Sequence, residues 1–153
     1  RETQKSRERV LHLGVSQISG ASSTSVGGYV EKEAADENSA QFELNDTRTL
    51  DEIVNWLLGM GYIPSFCTAC YREGRTGDRF MQLVKSGQIA NCCQPNALMT
   101  LKEYLEDYAS ADTKAKGEAV IAAELEKIPN PKVKQIAGKY LADLHEGKRD
   151  FRF

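Results

Sequence analysis

All four cysteines of the chain fall between Phe66 and Asn96, in the stretch FCTACYREGRTGDRFMQLVKSGQIANCCQPN. Cys67 and Cys70 form a CxxC, and after 22 intervening residues comes Cys93, with Cys92 directly before it. Two thiolates on one tight turn and a third from a distant loop is how a protein wraps an inorganic centre. Thiolates are soft, anionic ligands that suit zinc and iron-sulfur clusters.

The ligand count is uneven. A cubane iron-sulfur cluster normally takes four cysteines. In an extended backbone neighbouring side chains point to opposite sides, so Cys92 and Cys93 are not expected to ligate one centre together. Three ligands remain: Cys67, Cys70 and one of the pair. Three thiolates on a four-iron cluster leave one iron open to an exogenous ligand, which points to reactivity more than to electron storage. Three other readings stay open: a structural zinc site, a redox CxxC and buried free thiols. Structural zinc favours closed N/S ligation, and the only histidines, His12 and His145, sit far away at either end. A thioredoxin-like CxxC opens a helix after a strand, whereas CTACYREGRTG runs into a glycine-rich turn.

Around this stretch the chain reads as α/β. A polar segment from Arg1 acquires Val10, Leu11 and Leu13 before Gly14 stops it, as a helix would. Val15 to Ser19 reads as a strand, and Gly20 to Gly28 is nearly all Gly, Ser and Thr. Such a composition makes a flexible loop or, after a barrel strand, offers amides and hydroxyls to a ligand at the strand's carboxyl end. Glu31 to Ala40 is an acidic, solvated connection, and Gln41 to Leu44 alternates as a second strand. Thr49-x-x-Glu52 has the form of a capping box, and Leu50, Ile53, Val54, Leu57 and Leu58 recur at helical spacing. Gly59 and Gly61 end that helix, and Tyr62 to Phe66 forms a short strand that delivers Cys67. Strand, helix, strand is a βαβ rhythm and implies a parallel sheet.

From Asp78 onward the pattern turns helical. Phe80, Leu83 and Val84 give a short amphipathic turn or two before Gly87. Leu98, Leu101, Leu105 and Tyr108 form a stripe with Thr100-x-x-Glu103 as its cap, and Ile121, Leu125 and Ile128 form another. Asn130-Pro131 is an N-cap with proline at the first helical position, and Val133, Ile136, Ala137, Tyr140, Leu141 and Leu144 run down one face until Gly147. Three such helices read as a small cap over the cysteine site.

In the GRTGDRF turn, Gly74 and Gly77 permit positive φ, and Arg72, Arg75 and Arg79 surround the CxxC. Exposed arginines of this kind commonly pair with carboxylates such as Asp78 and fix the loop. Alternatively, Arg75 and Arg79 neutralise an anionic centre or hold a ligand carboxylate bidentately.

With 20 basic and 22 acidic residues there is no electrostatic footprint for nucleic acid. No apolar run approaches the roughly 18 residues of a membrane helix, and no signal peptide is visible. Four cysteines, two of them adjacent, form no obvious disulfide scaffold, so reduced thiols in the cytoplasm are expected.

The run YIPSFCTACYREGRTGDRFM from Tyr62 to Met81, followed by Cys93-Gln94-Pro95-Asn96-Ala97 and Lys102-Glu103-Tyr104-Leu105, resembles the carboxyl-terminal cluster-binding region of the HydG family. These are radical S-adenosylmethionine (SAM) tyrosine lyases that mature FeFe hydrogenases. Upstream, GVSQIS, TSVGGY and QFELNDTRTLDE resemble the last part of the same family's barrel. A departure is Gly20-Ala21-Ser22-Ser23, where Ala-Gly-Ser-Arg is expected.

The resemblance implies that the family's C-x2-C-x22-C motif falls on Cys67, Cys70 and Cys93, which would hold an auxiliary 4Fe-4S cluster carrying an additional labile iron bridged by a cysteine-type small molecule. Cys92 falls outside the motif and is expected to be dispensable for the cluster. The barrel loop would face substrate and SAM, which makes Ser19, Ser22 and Thr24 candidates for cofactor binding. The fold implied is the last βα units of a (βα)8-type radical SAM barrel over 1–66, then a mainly helical auxiliary-cluster domain over 67–153.

The family's reaction cleaves tyrosine to p-cresol and dehydroglycine and builds carbon monoxide and cyanide ligands on iron. It uses free cysteine, a second 4Fe-4S cluster with SAM, and other hydrogenase maturation proteins as partners. The CxxxCxxC triad for the SAM-cleaving cluster is absent, and the chain opens at Arg1 without an initiator methionine. The expectation is therefore a carboxyl-terminal piece, inactive alone, of a longer lyase. Two alternatives are a stand-alone zinc or iron-sulfur structural module and the thiamine-pathway tyrosine lyase. The latter lacks the cysteine motif.

Overall fold

The computed structural model describes residues 2–23, 46–66, 72, 74 and 76–153. The chain divides into two compact units, Arg1–Ile53 and Val54–Phe153. Among the described residues the elements are six helices and no strand: α1 (Gln4–His12), α2 (Leu50–Gly59), α3 (Asp78–Lys85), α4 (Ile89–Asp107), α5 (Ala111–Glu126) and α6 (Pro131–His145). None of them is long and apolar enough to cross a membrane.

The absence of strands corrects the α/β reading and its barrel units. Val15–Ser19 and Tyr62–Phe66 are not strands, and the proposed strand at Gln41–Leu44 lies outside the described residues. A short β-branched segment becomes a strand only when a neighbouring strand pairs with its backbone, and among the described residues there is no strand.

In the first unit, the Thr3 hydroxyl caps α1 by accepting from the Ser6 amide, and Gly14 at φ 98° turns the chain away. Arg7 then spans the loop, donating to the Asp46 carboxylate and to the Ser19 carbonyl. Asp46 also receives Arg48, Nε to Oδ1 at 2.8 Å and Nη2 to Oδ2 at 2.6 Å. The expected capping box is present. The Thr49 amide donates to Glu52 Oε2 at 2.7 Å, and the Glu52 amide donates to Thr49 Oγ1 at 3.3 Å. The apolar face of α2 buries Ile53, Val54, Leu57 and Leu58 and leaves Leu50 exposed.

The second unit is built on α4, against which α5 and α6 pack. Its core joins Val54 and Leu58 to Leu98, Met99, Leu101, Tyr104 and Leu105 of α4, Ile121 of α5, Ile128, and Ala137, Leu141 and Leu144 of α6. Fully burying a leucine of this kind contributes roughly 1.5–3 kcal/mol. Asn130 caps α6, accepting from the Lys132 amide at 2.9 Å, with Pro131 at the first helical position. Gly117 lets α5 approach α4 closely: a Cβ there would stand 2.4 Å from Leu105 Cδ1.

The stripe beginning at Leu98 belongs to a longer helix than expected. α4 starts at Ile89, so Cys92, Cys93 and Pro95 lie inside it, and Thr100 donates to the Ala97 carbonyl at 3.2 Å instead of capping. Tyr108 falls outside the stripe: it is the C-cap, with φ −136°, and is 77% exposed.

Residues 149–153 run back along α4. Arg149 Nη2 meets Asp107 Oδ1 at 2.5 Å, and the Asp150 amide donates to Glu103 Oε1 at 3.3 Å. The Phe151 ring stacks on Tyr140 at 4.5 Å, and Phe153 tilts against the same ring at 5.6 Å.

Candidate metal centre

Cys93 is a half-buried thiol outside any disulfide, in the first turns of α4. Its neighbour Cys92 is also half-buried, and the two sulfurs lie 3.7 Å apart. The Cys92 thiol donates to the Gln88 carbonyl, one turn back, at 3.3 Å. A helix turns about 100° per residue, so adjacent side chains diverge far less than in a strand. The expectation that Cys92 and Cys93 point to opposite sides is therefore corrected by their helical setting.

Cys67, Cys70, Thr24 and Arg75 lie outside the described residues. Among the described residues no group of three or more His, Cys, Asp or Glu side chains is arranged to hold a metal ion. The residue before Cys67 is anchored on α4: the Phe66 ring stacks on Tyr104 with centroids 5.2 Å apart. Tyr104 and Cys93 are separated by about 16 Å of helix at 1.5 Å per residue.

Gly74 and Gly77 do take positive φ, 63° and 56°, as the turn requires, and Gly77 caps α3. Arg79 stands exposed in the first turn of α3 and has no ion-pair partner among the described residues. The expected pairing with Asp78 is not seen there.

Ser19 and Ser22 line one cavity of about 210 Å³ in the first unit, together with Arg7, Gln17 and Asp46. The Ser19 carbonyl is occupied by Arg7. The Arg48 guanidinium beside Asp46, aided by Arg7, holds its carboxyl well below the usual carboxylate range. The wall is thus a fixed ion pair rather than a titrating group.

Two features were missed from sequence. Asn96, one turn beyond Cys93, is bonded through its side-chain amide to the backbone of Phe153, a partner far along the chain. The second feature is a charge network between α4, α5 and α6. The buried Lys102 ammonium donates to Glu118 and to Glu106 Oε1, the latter at 2.7 Å. Glu106 also receives Lys114 and stands 2.8 Å from His145 Nδ1. Hydrogen bonds first from Lys102, then from Lys114 and His145, hold the Glu106 carboxyl down at about 2. The i,i+4 spacing of Lys102 and Glu106 is the one local signal of this network. His145 is exposed yet engaged.

No protein-family model and no curated protein matches the chain. Among solved structures, it is similar to a crystal structure of HydG, described as a maturase of the FeFe-hydrogenase, with 50% identity and a TM-score of 0.87. The match covers 100% of this chain and 32% of that one, so the chain spans about a third of the length of the HydG structure. The resemblance to HydG, read from the residues, is shown over the whole of this chain.

Proposed function

We propose that this chain is the part of a HydG-type hydrogenase maturase that carries an auxiliary 4Fe-4S cluster, held by Cys67, Cys70 and Cys93. The observation that carries the reading is the whole-length likeness to HydG at 50% identity, in a chain that keeps the C-x2-C-x22-C spacing. In the second unit the mainly helical segment 67–153 is the cluster-binding part.

The residues suit the group. Cys93 offers a half-buried thiol free of disulfide, and thiolates are the usual ligands of such clusters. Phe66, the residue before Cys67, is fixed on α4, the helix that carries Cys93. Three protein thiolates leave one iron with an open position, which is the chemistry the bound cluster supplies.

The chain's own groups prepare that position. α4 carries Cys93 on the same helix as the buried Leu98, Leu101 and Leu105. Gly74 and Gly77 let the intervening turn fold tightly. Arg79, exposed and without an ion-pair partner among the described residues, supplies a guanidinium that can take a carboxylate of a bound amino acid bidentately. Arg75 is assigned the same role. Ser19, Ser22 and Thr24 are assigned to the SAM side of the parent protein, where the first two line a cavity.

The parent would be a radical SAM lyase acting on tyrosine, with a second 4Fe-4S cluster and SAM, free cysteine as a small-molecule ligand, and other hydrogenase maturation proteins as partners. Its products would be p-cresol and dehydroglycine, the latter the source of carbon monoxide and cyanide. This chain would not cleave SAM alone, because the CxxxCxxC triad is not in it.

The test is anaerobic loading of the full chain with iron and sulfide. Cys93→Ala is expected to lose the bound iron and Cys92→Ala to keep it. Iron retained in full by Cys93→Ala contradicts the assignment.

A further inference from the structure

The separation of the Cys92 and Cys93 sulfurs carries a second assignment. Two thiolates bound to one tetrahedral zinc-type ion at about 2.3 Å each stand about 3.8 Å apart, by the tetrahedral angle alone. The two sulfurs already lie 3.7 Å apart, on adjacent residues of one helix. Neither is in a disulfide. We propose that Cys92 and Cys93 form a two-thiolate chelate for a single thiophilic divalent ion, filled when Cys93 is not engaged by a cluster.

Loading balances as two thiols plus one divalent ion giving two metal–sulfur bonds and two protons released to buffer. The Cys92 thiol gives up its hydrogen bond to the Gln88 carbonyl in the process. Among the described residues no third His, Cys, Asp or Glu completes the set. The remaining positions are assigned to water or a small-molecule thiol.

One consequence rests on the cluster reading. Cys93 cannot serve both centres at once, so a thiophilic ion on the pair competes with cluster assembly.

Cadmium is the probe, because its bonds to thiolate absorb in the ultraviolet. In the reduced, cluster-free full chain carrying Cys67→Ser and Cys70→Ser, one cadmium is expected to bind with the absorbance of two thiolates. Adding Cys92→Ser is expected to halve that absorbance and, with chelation lost, to weaken binding about a hundredfold. Absence of the band in the double variant, or no change on adding Cys92→Ser, overturns the chelate. Iron and sulfide loading of the unsubstituted chain reads the cluster assignment separately. Cadmium held by the pair in a chain that forms no cluster still supports the chelate, whereas a cluster formed with no cadmium at the pair overturns the chelate alone.

Discussion

Asn96 and Phe153 are joined twice. Asn96 Nδ2 donates to the Phe153 carbonyl at 3.1 Å, and the Phe153 amide donates to Asn96 Oδ1 at 2.7 Å. One side-chain amide thus serves both backbone groups of a residue, as a neighbouring strand would. It ties residues 149–153 to the helix that carries Cys93, one turn beyond that cysteine.

Asn96→Ala should therefore leave two part-buried backbone groups without partners, at a cost of about 1–3 kcal/mol. Urea unfolding should show a lower midpoint with an unchanged slope, and Asn96→Asp, which keeps the acceptor, should fall between. An unaltered midpoint in Asn96→Ala would mean that the two rings on Tyr140 hold the segment unaided.

Gly117 and Gly138 make an opposed pair of tests. A Cβ at Gly117 would meet Leu105 Cδ1 and Cδ2 at 2.4 and 2.6 Å, and Leu105 is itself buried, so Gly117→Ala should destabilise by roughly 1–3 kcal/mol. A Cβ at Gly138 finds only Leu125 Cδ2 at 3.9 Å, so Gly138→Ala should stabilise α6 by roughly 0.5–1 kcal/mol. Thermal melts of the two variants should move in opposite directions. A shift of the same sign in both would contradict the packing described.

Glu106 sets an acid limit. Its folded-state pKa lies below the ordinary 4.5, at about 2, because Lys102, Lys114 and His145 bond its ionised form. A depressed carboxyl contributes stability that is fully present above the ordinary value and is lost as pH falls through the folded one. Stability should thus fall between about pH 4.5 and 2, and Glu106→Gln should flatten that part of the curve. Chemical unfolding at stepped pH reads this directly. A variant curve parallel to the parent's would show that the network is not the source.

The helices of the second unit were legible where their signals are local. Asn130-Pro131 and the stripe through Ala137, Leu141 and Leu144 announce α6, and Thr49 with Glu52 announces α2. The start of α4 was hidden because Pro95 and Gly87 look like breakers. Proline removes one helical hydrogen bond, here the one to the Asn91 carbonyl, yet the helix runs through it on the strength of the core beyond. Val15–Ser19 and Tyr62–Phe66 were misread as strands because β-propensity records fit to a neighbour, which sequence alone does not supply. The ring of Phe66 found Tyr104 instead. At the site, the spacing of the cysteines was visible, but the closeness of Cys92 to Cys93 followed only once their backbone was known to be helical. Asn96 with Phe153, and Glu106 with His145, are contacts between distant residues and leave no local trace.

The most direct test of the cluster assignment is electron paramagnetic resonance of the full chain after anaerobic loading with iron and sulfide, recorded with and without added cysteine and paired with metal analysis. About four irons per chain and a reduced-cluster signal that changes when cysteine is added are expected of three protein thiolates and one open iron. A single tightly bound zinc with no cluster signal would contradict the account and favour a structural metal site.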